Sequence, residues 1–237
     1  EWMADVSHGC QHSPETLFMA VNYLDRFMSI KKVILDEFQL IGITCLFISS
    51  KLNDVNLPQI NEFVYVTENL YTRDNIIDTE KEIISALEFQ LVVPTLLFFA
   101  ELYFSYFKNL FVLETQLILL QALCEYTLID YKLSNSYYPS ILAAAILLRC
   151  VHQCDQNLNI EEFTIFGLDL AAISACYRRT NDFIHRTNNM SSHSSSTIRF
   201  QSHWYYKFFL LGLQTHNLAV SLNISLPFVS SKLIISF

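Results

Sequence analysis

The chain has 237 residues, of which 52% are hydrophobic and 16% are charged, and it contains only 4 Gly and 5 Pro. That length is enough for one large domain or two of about a hundred residues each. The scarcity of Gly and Pro beside long apolar runs favours an all-α protein. A net charge of -8 argues against a nucleic-acid partner, which requires a basic face. No apolar run reaches the ~18 residues that cross a bilayer, so we expect no membrane partner.

The N-terminal third predicts a series of capped helices. The chain does not begin with Met, and its first residues read as the middle of a helix, so we expect a truncated N-terminus. Ser13 is predicted to start a helix with its hydroxyl as the cap and a Pro behind it. Asp36 is predicted to cap the next helix, in which residues 41–50 carry no charge. A helix that is apolar on all sides belongs at the centre of its domain.

Two shorter helices complete the first half. Residues 57–58 are predicted to start a short helix that runs through Val64, and Thr72 is predicted to cap "RDNIIDTEKEIISALEF". The segment "LVVPT" follows, in which Pro94 opens a new helix and marks a boundary.

The second half repeats the first in outline. Helical patterns continue through "LLFFAELYF", "LETQLILLQALCEYTLIDYKL", "YPSILAAAILLRCVHQC" and "LAAISACYRRTNDFIH". The sequence "NYLDRF", followed by a small-residue apolar helix, is echoed by "TLIDYKL" and "PSILAAAILL". We therefore predict two similar domains of about five helices at residues 1–92 and 93–187. Residues 188–237 are expected to be a linker, around "MSSHSSST", and a tail without clean periodicity, to which we assign no function.

Two charges fall on faces that are otherwise apolar. Lys51 continues the apolar stripe of the helix that contains residues 41–50. Glu80 lies at the centre of a face built from Ile76, Ile77, Ile83, Ile84 and Leu87. An unpaired charge in such a position costs several kcal/mol, so each needs a partner or an exposed patch.

Three interpretations of these charges remain open on periodicity alone. Lys51 extends into solvent while Glu80 pairs locally with Lys81 or Arg73. Alternatively, Lys51 and Glu80 pair with each other across two packed helices. In the third interpretation both border an exposed apolar binding surface made by Ile48, Leu52, Ile84 and Phe89.

Catalytic and metal sites are not indicated. The six Cys lie mostly in apolar helical stretches, as small buried residues of a reduced intracellular protein do. The His- and Cys-containing clusters do not form the two separated ligand pairs typical of zinc; they are His8, Cys10 and His12, and Cys150, His152 and Cys154. The scattered glycines exclude a phosphate-binding loop. We therefore predict no metal, no cofactor and no enzymatic activity.

Four stretches, in order, resemble a known family. They are "ETLFMAVNYLDRFMS", "FQLIGITCLFISSKLND", "INEFVYVTENLYTRDNIIDTEKEIISALEFQLVVPT" and "TLIDYKLSNSYYPSILAAAILL". Together they resemble the two cyclin boxes of a cyclin over residues 1 to 187, in details closest to the mitotic A/B types. The resemblance implies an all-α fold of tandem cyclin boxes, two five-helix domains with a central apolar helix in each.

The resemblance also implies a function and a location. Such a chain is a regulatory subunit, present in nucleus and cytoplasm, that binds and activates a cyclin-dependent kinase and performs no chemistry itself. By the family pattern the polar anchors to the kinase are Lys51 and Glu80. The apolar groove around the kinase helix falls on Ile48, Leu52, Ile84, Phe89 and Leu91. Alternatives are a cyclin-fold transcription component and a diverged cyclin that binds without activating.

A/B-type cyclins also carry a docking patch for substrates with Arg-x-Leu motifs. By resemblance it falls here on Trp2, Asp5, Phe38 and Gln39. Phe38 stands where the family usually has Leu, and the family's apolar segment before the Trp is absent from this chain. The segment "SSKLND" also departs from the family pattern, because Leu52 replaces an aromatic residue and Asn53 replaces an acid.

Overall fold

The computed structural model describes residues 2–56, 59–108, 114–153 and 157–191, and the regular structure within these ranges is entirely helical. The α-helices are α1 (Trp2–Gly9), α2 (Pro14–Ile30), α3 (Phe38–Asn53), α4 (Ile60–Val66), α5 (Arg73–Ala86), α6 (Leu96–Tyr106), α7 (Glu114–Thr127), α8 (Tyr131–Ser136), α9 (Pro139–Gln153) and α10 (Leu170–Ser191). Short 3-10 helices, Leu35–Glu37 and Ile160–Phe166, precede α3 and α10. The all-α prediction is confirmed.

Some sequence-based expectations fall outside the described residues. The predicted helix start at residues 57–58 and the tail from residue 200 onward are among them. The last described helix continues to Ser191, so the first residues of the expected linker are helical.

Helix α3 is the centre of the first domain, as its uncharged sequence predicts. Residues 41–50 are all buried, and the helix packs against α1, α2, α4 and α5. Its small residues allow close packing, since a Cβ added at Gly42 would lie 3.3 Å from the Met3 Sδ. Its buried hydroxyls are satisfied locally or across the interface: Thr44 donates to the Leu40 carbonyl at 2.7 Å, and Ser49 donates to the Thr16 carbonyl at 2.6 Å.

Helix α9 has the same role in the second domain. Residues 141–148 are buried, and α9 packs against α6, α7 and α10. An aromatic cluster closes one end of this core, with ring centroids 4.6–6.3 Å apart among Tyr103, Phe107, Phe163 and Phe166. The prediction of a central apolar helix in each domain is therefore confirmed.

Two predicted caps are wrong in detail. Ser13 does precede α2, but its hydroxyl makes no capping bond and instead accepts a hydrogen bond from Asn53 Nδ2 at 3.0 Å. Asp36 lies inside a 3-10 turn that runs directly into α3. Because the Phe38 N–H donates to the Leu35 carbonyl of that turn, a side-chain cap is not required there.

Two other helix starts agree better with the sequence. Thr72 caps α5 through a reciprocal box with Asn75, as predicted. The helix expected at Pro94 begins two residues later, at Leu96, because the Thr95 hydroxyl accepts the Phe98 N–H at 3.1 Å.

Polar contacts join the two domains along α2. The Thr95 hydroxyl donates to Glu15 at 2.7 Å, and Asn135 Nδ2 donates to Asp25 at 3.2 Å. Burial raises the pKa of both carboxyl groups, and these hydrogen bonds partly oppose the shift. His8 lies 3.2 Å from Glu125 and adds a contact between α1 and α7.

Candidate functional site

Lys51 and Glu80, the two charges on otherwise apolar helix faces, form an ion pair with each other. Lys51, in the last turn of α3, donates to Glu80 of α5, and the lysine side chain is 38% exposed while that of Glu80 is 14% exposed. The Lys51 ammonium also lies 4.3 Å from the centroid of the Phe47 ring. Lys81 pairs with Asp78 instead, so the interpretation that Glu80 pairs with a local base is wrong. The interpretation in which the two charges pair across packed helices is confirmed.

The apolar residues predicted to surround this pair differ in exposure. Leu52 is 50% exposed and Phe89 is 78% exposed, whereas Ile84 and Leu91 are half-buried. Ile48 is 1% exposed and belongs to the core, so its predicted place in an exposed patch is wrong. Ile48 and Lys51 lie on the same face of α3. That face is buried at Ile48 and becomes exposed only in the last turn, at Lys51.

Phe89 is presented by an unusual turn at the end of α5. Glu88 and Phe89 both have left-handed backbone conformations, with φ values of 51° and 60°. The Phe89 N–H bonds back to the Ile84 carbonyl at 3.0 Å, as in a helix termination that glycine usually serves. Non-glycine residues in that region cost about 1–3 kcal/mol and concentrate at functional sites.

A buried polar cluster anchors the turn that carries Lys51. The Asp54 carboxylate accepts from His12 Nδ1 at 2.7 Å, from the Ser13 N–H at 2.9 Å and from the Thr16 hydroxyl at 2.8 Å. The side chains of His12 and Asp54 are 2% and 7% exposed. Sequence reasoning missed this cluster, because its members are about forty positions apart and the only hint was an acid directly after a helix end.

The four predicted docking residues line one groove, with a volume of about 520 Å³. Trp2 and Asp5 come from α1, and Phe38 and Gln39 come from the start of α3. Phe38 is 42% exposed, so its ring is available in the groove. The opposite wall, which the sequence did not predict, belongs to the second domain and consists of Glu125, Tyr126, Leu128, Ile129 and Tyr131.

The His residues of the first sequence cluster contact different partners, since His8 lies near Glu125 and His12 bonds to Asp54. Among the described residues, no group of three or more His, Cys, Asp or Glu side chains is placed to hold a metal ion. His152 bonds to the Tyr177 hydroxyl at 3.0 Å, and Cys154 lies outside the described residues. Within the described ranges, no helix is both long and apolar enough to cross a membrane.

Comparison with known families identifies the two helical domains. Residues 1–92 match the model of the cyclin N-terminal domain, and residues 94–208 match that of the cyclin C-terminal domain. The chain belongs to the cyclin family.

Similar curated proteins are A-type cyclins. The chain is 37% identical to a G2/mitotic-specific cyclin-A of Patella vulgata, an alignment that covers 62% of this chain and 34% of that protein. It is 35% identical to a G2/mitotic-specific cyclin-A of Hydra viridissima, over 64% of this chain and 36% of that protein. The chain thus spans about a third of the length of these relatives.

Solved structures share the fold at low sequence identity. A viral cyclin from herpesvirus saimiri matches with a TM-score of 0.66 and 19% identity, covering 76% of this chain and 80% of that one. A chain of the yeast RNA Pol II CTD kinase CTDK-1 complex matches with a TM-score of 0.66 and 12% identity, covering 97% and 76%. These similarities support the cyclin fold.

Proposed function

We propose that this chain is a regulatory subunit that binds and activates a cyclin-dependent protein kinase in the cell cycle, as a mitotic A/B-type cyclin, without being an enzyme itself. The observation that carries the proposal is the partly exposed Lys51–Glu80 pair, with the exposed Leu52 next to Lys51 in the chain and the exposed Phe89 just after the end of α5. Relatives named G2/mitotic-specific cyclins support the cell-cycle role.

The Lys51–Glu80 ion pair is suited to being replaced by contacts between each charge and a bound partner. An ion pair at a partly exposed site contributes about 0–1 kcal/mol, so little is lost when a partner separates the two charges. Each charge then fixes the orientation of a bound helix, while apolar burial supplies affinity at about 25 cal/mol per Å². A surface with an apolar centre and charges at its edge matches the anatomy of protein interfaces.

The chain activates the kinase if it binds the active conformer of the kinase more tightly than the inactive one. A kinase is active when its regulatory-helix Glu pairs with the catalytic Lys. A cyclin that contacts that helix only in its inward position shifts the population toward the active state by its differential affinity. The Lys51, Glu80, Leu52, Ile84, Phe89 and Leu91 surface is the proposed contact.

We further propose docking of Arg-x-Leu substrates at Trp2, Asp5, Phe38 and Gln39, and residence in the nucleus and cytoplasm. The docking proposal is supported by the shared groove of these four residues. The proposed location rests on the resemblance to A/B-type cyclins alone.

The test compares two charge-pair variants, one whose pair joins α3 to α5 and one whose pair lies within α5. Lys51→Ala with Glu80→Ala is expected to abolish co-purification with the kinase and its activity toward a histone-type substrate. The matched control is Asp78→Ala with Lys81→Ala, which removes a pair whose side chains are 75% and 71% exposed. Equal kinase recovery with both double variants, at unchanged helical circular dichroism, contradicts the site assignment.

The alternative functions give different results in the same experiment. Recovery of a bound but inactive kinase indicates a diverged cyclin, a reading favoured by the half-exposed Leu52 where the family has an aromatic residue. Salt-sensitive retention on DNA indicates a cyclin-fold transcription component.

A further inference from the structure

A second cavity, which we call the interdomain cleft, lies where the two domains meet. It has a volume of about 620 Å³ and is lined by α2, by the start of α6 and by the segment that joins α8 to α9. Its floor consists of buried apolar side chains, among them Phe18, Leu96 and Leu142. Domain interfaces are a preferred location of small-molecule sites, and this volume is within their usual range.

Asp25 is the only charged side chain in the described lining of the interdomain cleft. Within the described residues, no Lys, Arg or His forms an ion pair with it. Burial raises the pKa of the Asp25 carboxyl, because its negative charge has lost part of its hydration. A cation in the cleft would replace that lost stabilisation.

The hydrogen bond that Asp25 accepts is long and shared. Asn135 Nδ2 donates to Asp25 at 3.2 Å, and the same nitrogen lies 3.3 Å from the Tyr131 carbonyl and from the Ser134 hydroxyl. An amide nitrogen carries two N–H groups, so these three acceptors compete for two donors. A carboxylate has about four lone-pair sites, and the described residues therefore leave most of its acceptor capacity to a ligand.

The groups around Asp25 complement a small cation with an apolar body. Tyr137 and Tyr138 contribute to the lining, and Tyr138 is 80% exposed, so its ring is available to a ligand. An aromatic face attracts an ammonium group, and the buried floor accommodates hydrocarbon. An anion is disfavoured because the described lining contains no Lys or Arg beside the Asp25 carboxylate.

We propose that the interdomain cleft is a binding site for a small organic monocation, whose ammonium group contacts the Asp25 carboxylate while its apolar body packs on the floor at Phe18 and Leu142. A single carboxylate selects a single positive charge. The site is separate from the proposed kinase and substrate surfaces, since neither the Lys51–Glu80 pair nor any of the four docking residues lines it. A ligand that touches both domains also stabilises the folded chain by mass action.

The test titrates the full chain with phenethylamine, phenethyl alcohol and phenylacetate, which share one ring and differ in charge. Binding is followed by the amide chemical shifts in NMR spectra. The amine is expected to bind with a Kd of about 1 mM and about tenfold more tightly than the alcohol, whereas phenylacetate is not expected to bind. The shift changes are expected at residues 134–139 and at Asn22, which line the cleft, and not at Trp2 or Phe38.

Matched variants test the two parts of the site. Asp25→Asn removes the charge but keeps an oxygen acceptor for the Asn135 amide, and it is expected to weaken amine binding about tenfold. The control Asp78→Asn, at a 75% exposed acid outside the cleft, is expected to leave binding unchanged. Tyr138→Ala is expected to weaken the amine about threefold, whereas Tyr65→Ala, at a 77% exposed tyrosine outside the cleft, has no effect.

Each outcome decides the proposal. Equal affinity for the amine and the alcohol overturns the selection for a cation. Amine binding that survives Asp25→Asn, or shift changes confined to Trp2 and Phe38, overturns the location of the site, and absence of amine binding overturns the site itself. If circular dichroism shows that Asp25→Asn does not fold, the Tyr138→Ala comparison and the positions of the shift changes decide instead. Kinase co-purification is measured separately and tests only the Lys51–Glu80 surface.

Discussion

The Asp54 carboxylate, just after α3, accepts hydrogen bonds from His12, Ser13 and Thr16 at the start of α2. Replacement of Asp54 by Ala leaves all three donors without this acceptor. Hydrogen bonds to a charged group contribute about 1.5–3 kcal/mol each, but neighbouring bonds are not additive. Removal of one partner from a buried ion pair costs about 3–5 kcal/mol, and we use that range for the buried Asp54 carboxylate. Because the Asp54 side chain is only 7% exposed, we expect Asp54→Ala to lower the free energy of unfolding by about 4 kcal/mol.

Urea unfolding followed by far-UV circular dichroism measures this loss. With a slope of about 2 kcal/mol per M, the midpoint is expected to fall by about 2 M. Asp78→Ala is the control, since its side chain is 75% exposed and its removal is expected to change stability by less than about 0.5 kcal/mol.

A double-mutant cycle identifies the origin of the loss. His12→Ala and Asp54→Ala are expected to couple by about 1–3 kcal/mol, because they share the 2.7 Å hydrogen bond. An Asp54→Ala variant as stable as the Asp78→Ala control refutes the reasoning, and additive effects of the two substitutions refute the role assigned to His12.

Three further predictions concern other contacts. Tyr23→Phe removes the hydroxyl that donates to the Leu91 carbonyl at 2.8 Å, and we expect a loss of about 1–2 kcal/mol in urea unfolding. Burial raises the pKa of Glu15 and Asp25, so the folded state holds protons that the unfolded state releases, and the free energy of unfolding falls as pH rises above about 4. Glu15→Gln with Asp25→Asn is expected to flatten that fall in unfolding curves at pH 5 and 7; an equally steep fall contradicts the assignment. Thr72→Ala removes the α5 cap and is expected to cost about 1 kcal/mol, which thermal melts detect as a lower Tm; an unchanged Tm argues against the cap.

The sequence predicts what is local. The burial of residues 41–50 and 141–148 and the cap at Thr72 follow from patterns within one helix, and the structure confirms them. The Ser13 cap fails because Asn53, forty positions away, engages its hydroxyl. A local pattern has no information about that competitor.

The candidate site shows the same division. Periodicity identifies Lys51 and Glu80 as out of place, yet it gives only the phase of each helix and not how two helices dock. Their pairing therefore needed the structure. The opposite wall of the groove, which the second domain forms, could not be predicted from the sequence for the same reason. Contacts between the domains, such as that of Asp25 with Asn135, span 110 positions.

The short segment "KLND" at the end of α3 divides its residues between two tasks. Lys51 and Leu52 face outward, whereas Asn53 bonds to Ser13 and Thr16 and Asp54 holds the start of α2. Under the proposed function, the first two positions serve recognition of a partner, while the next two serve folding. Substitutions at Lys51 and Leu52 are then expected to change partner binding without loss of folding, although they lie within one helical turn of residues that hold α2 and α3 together.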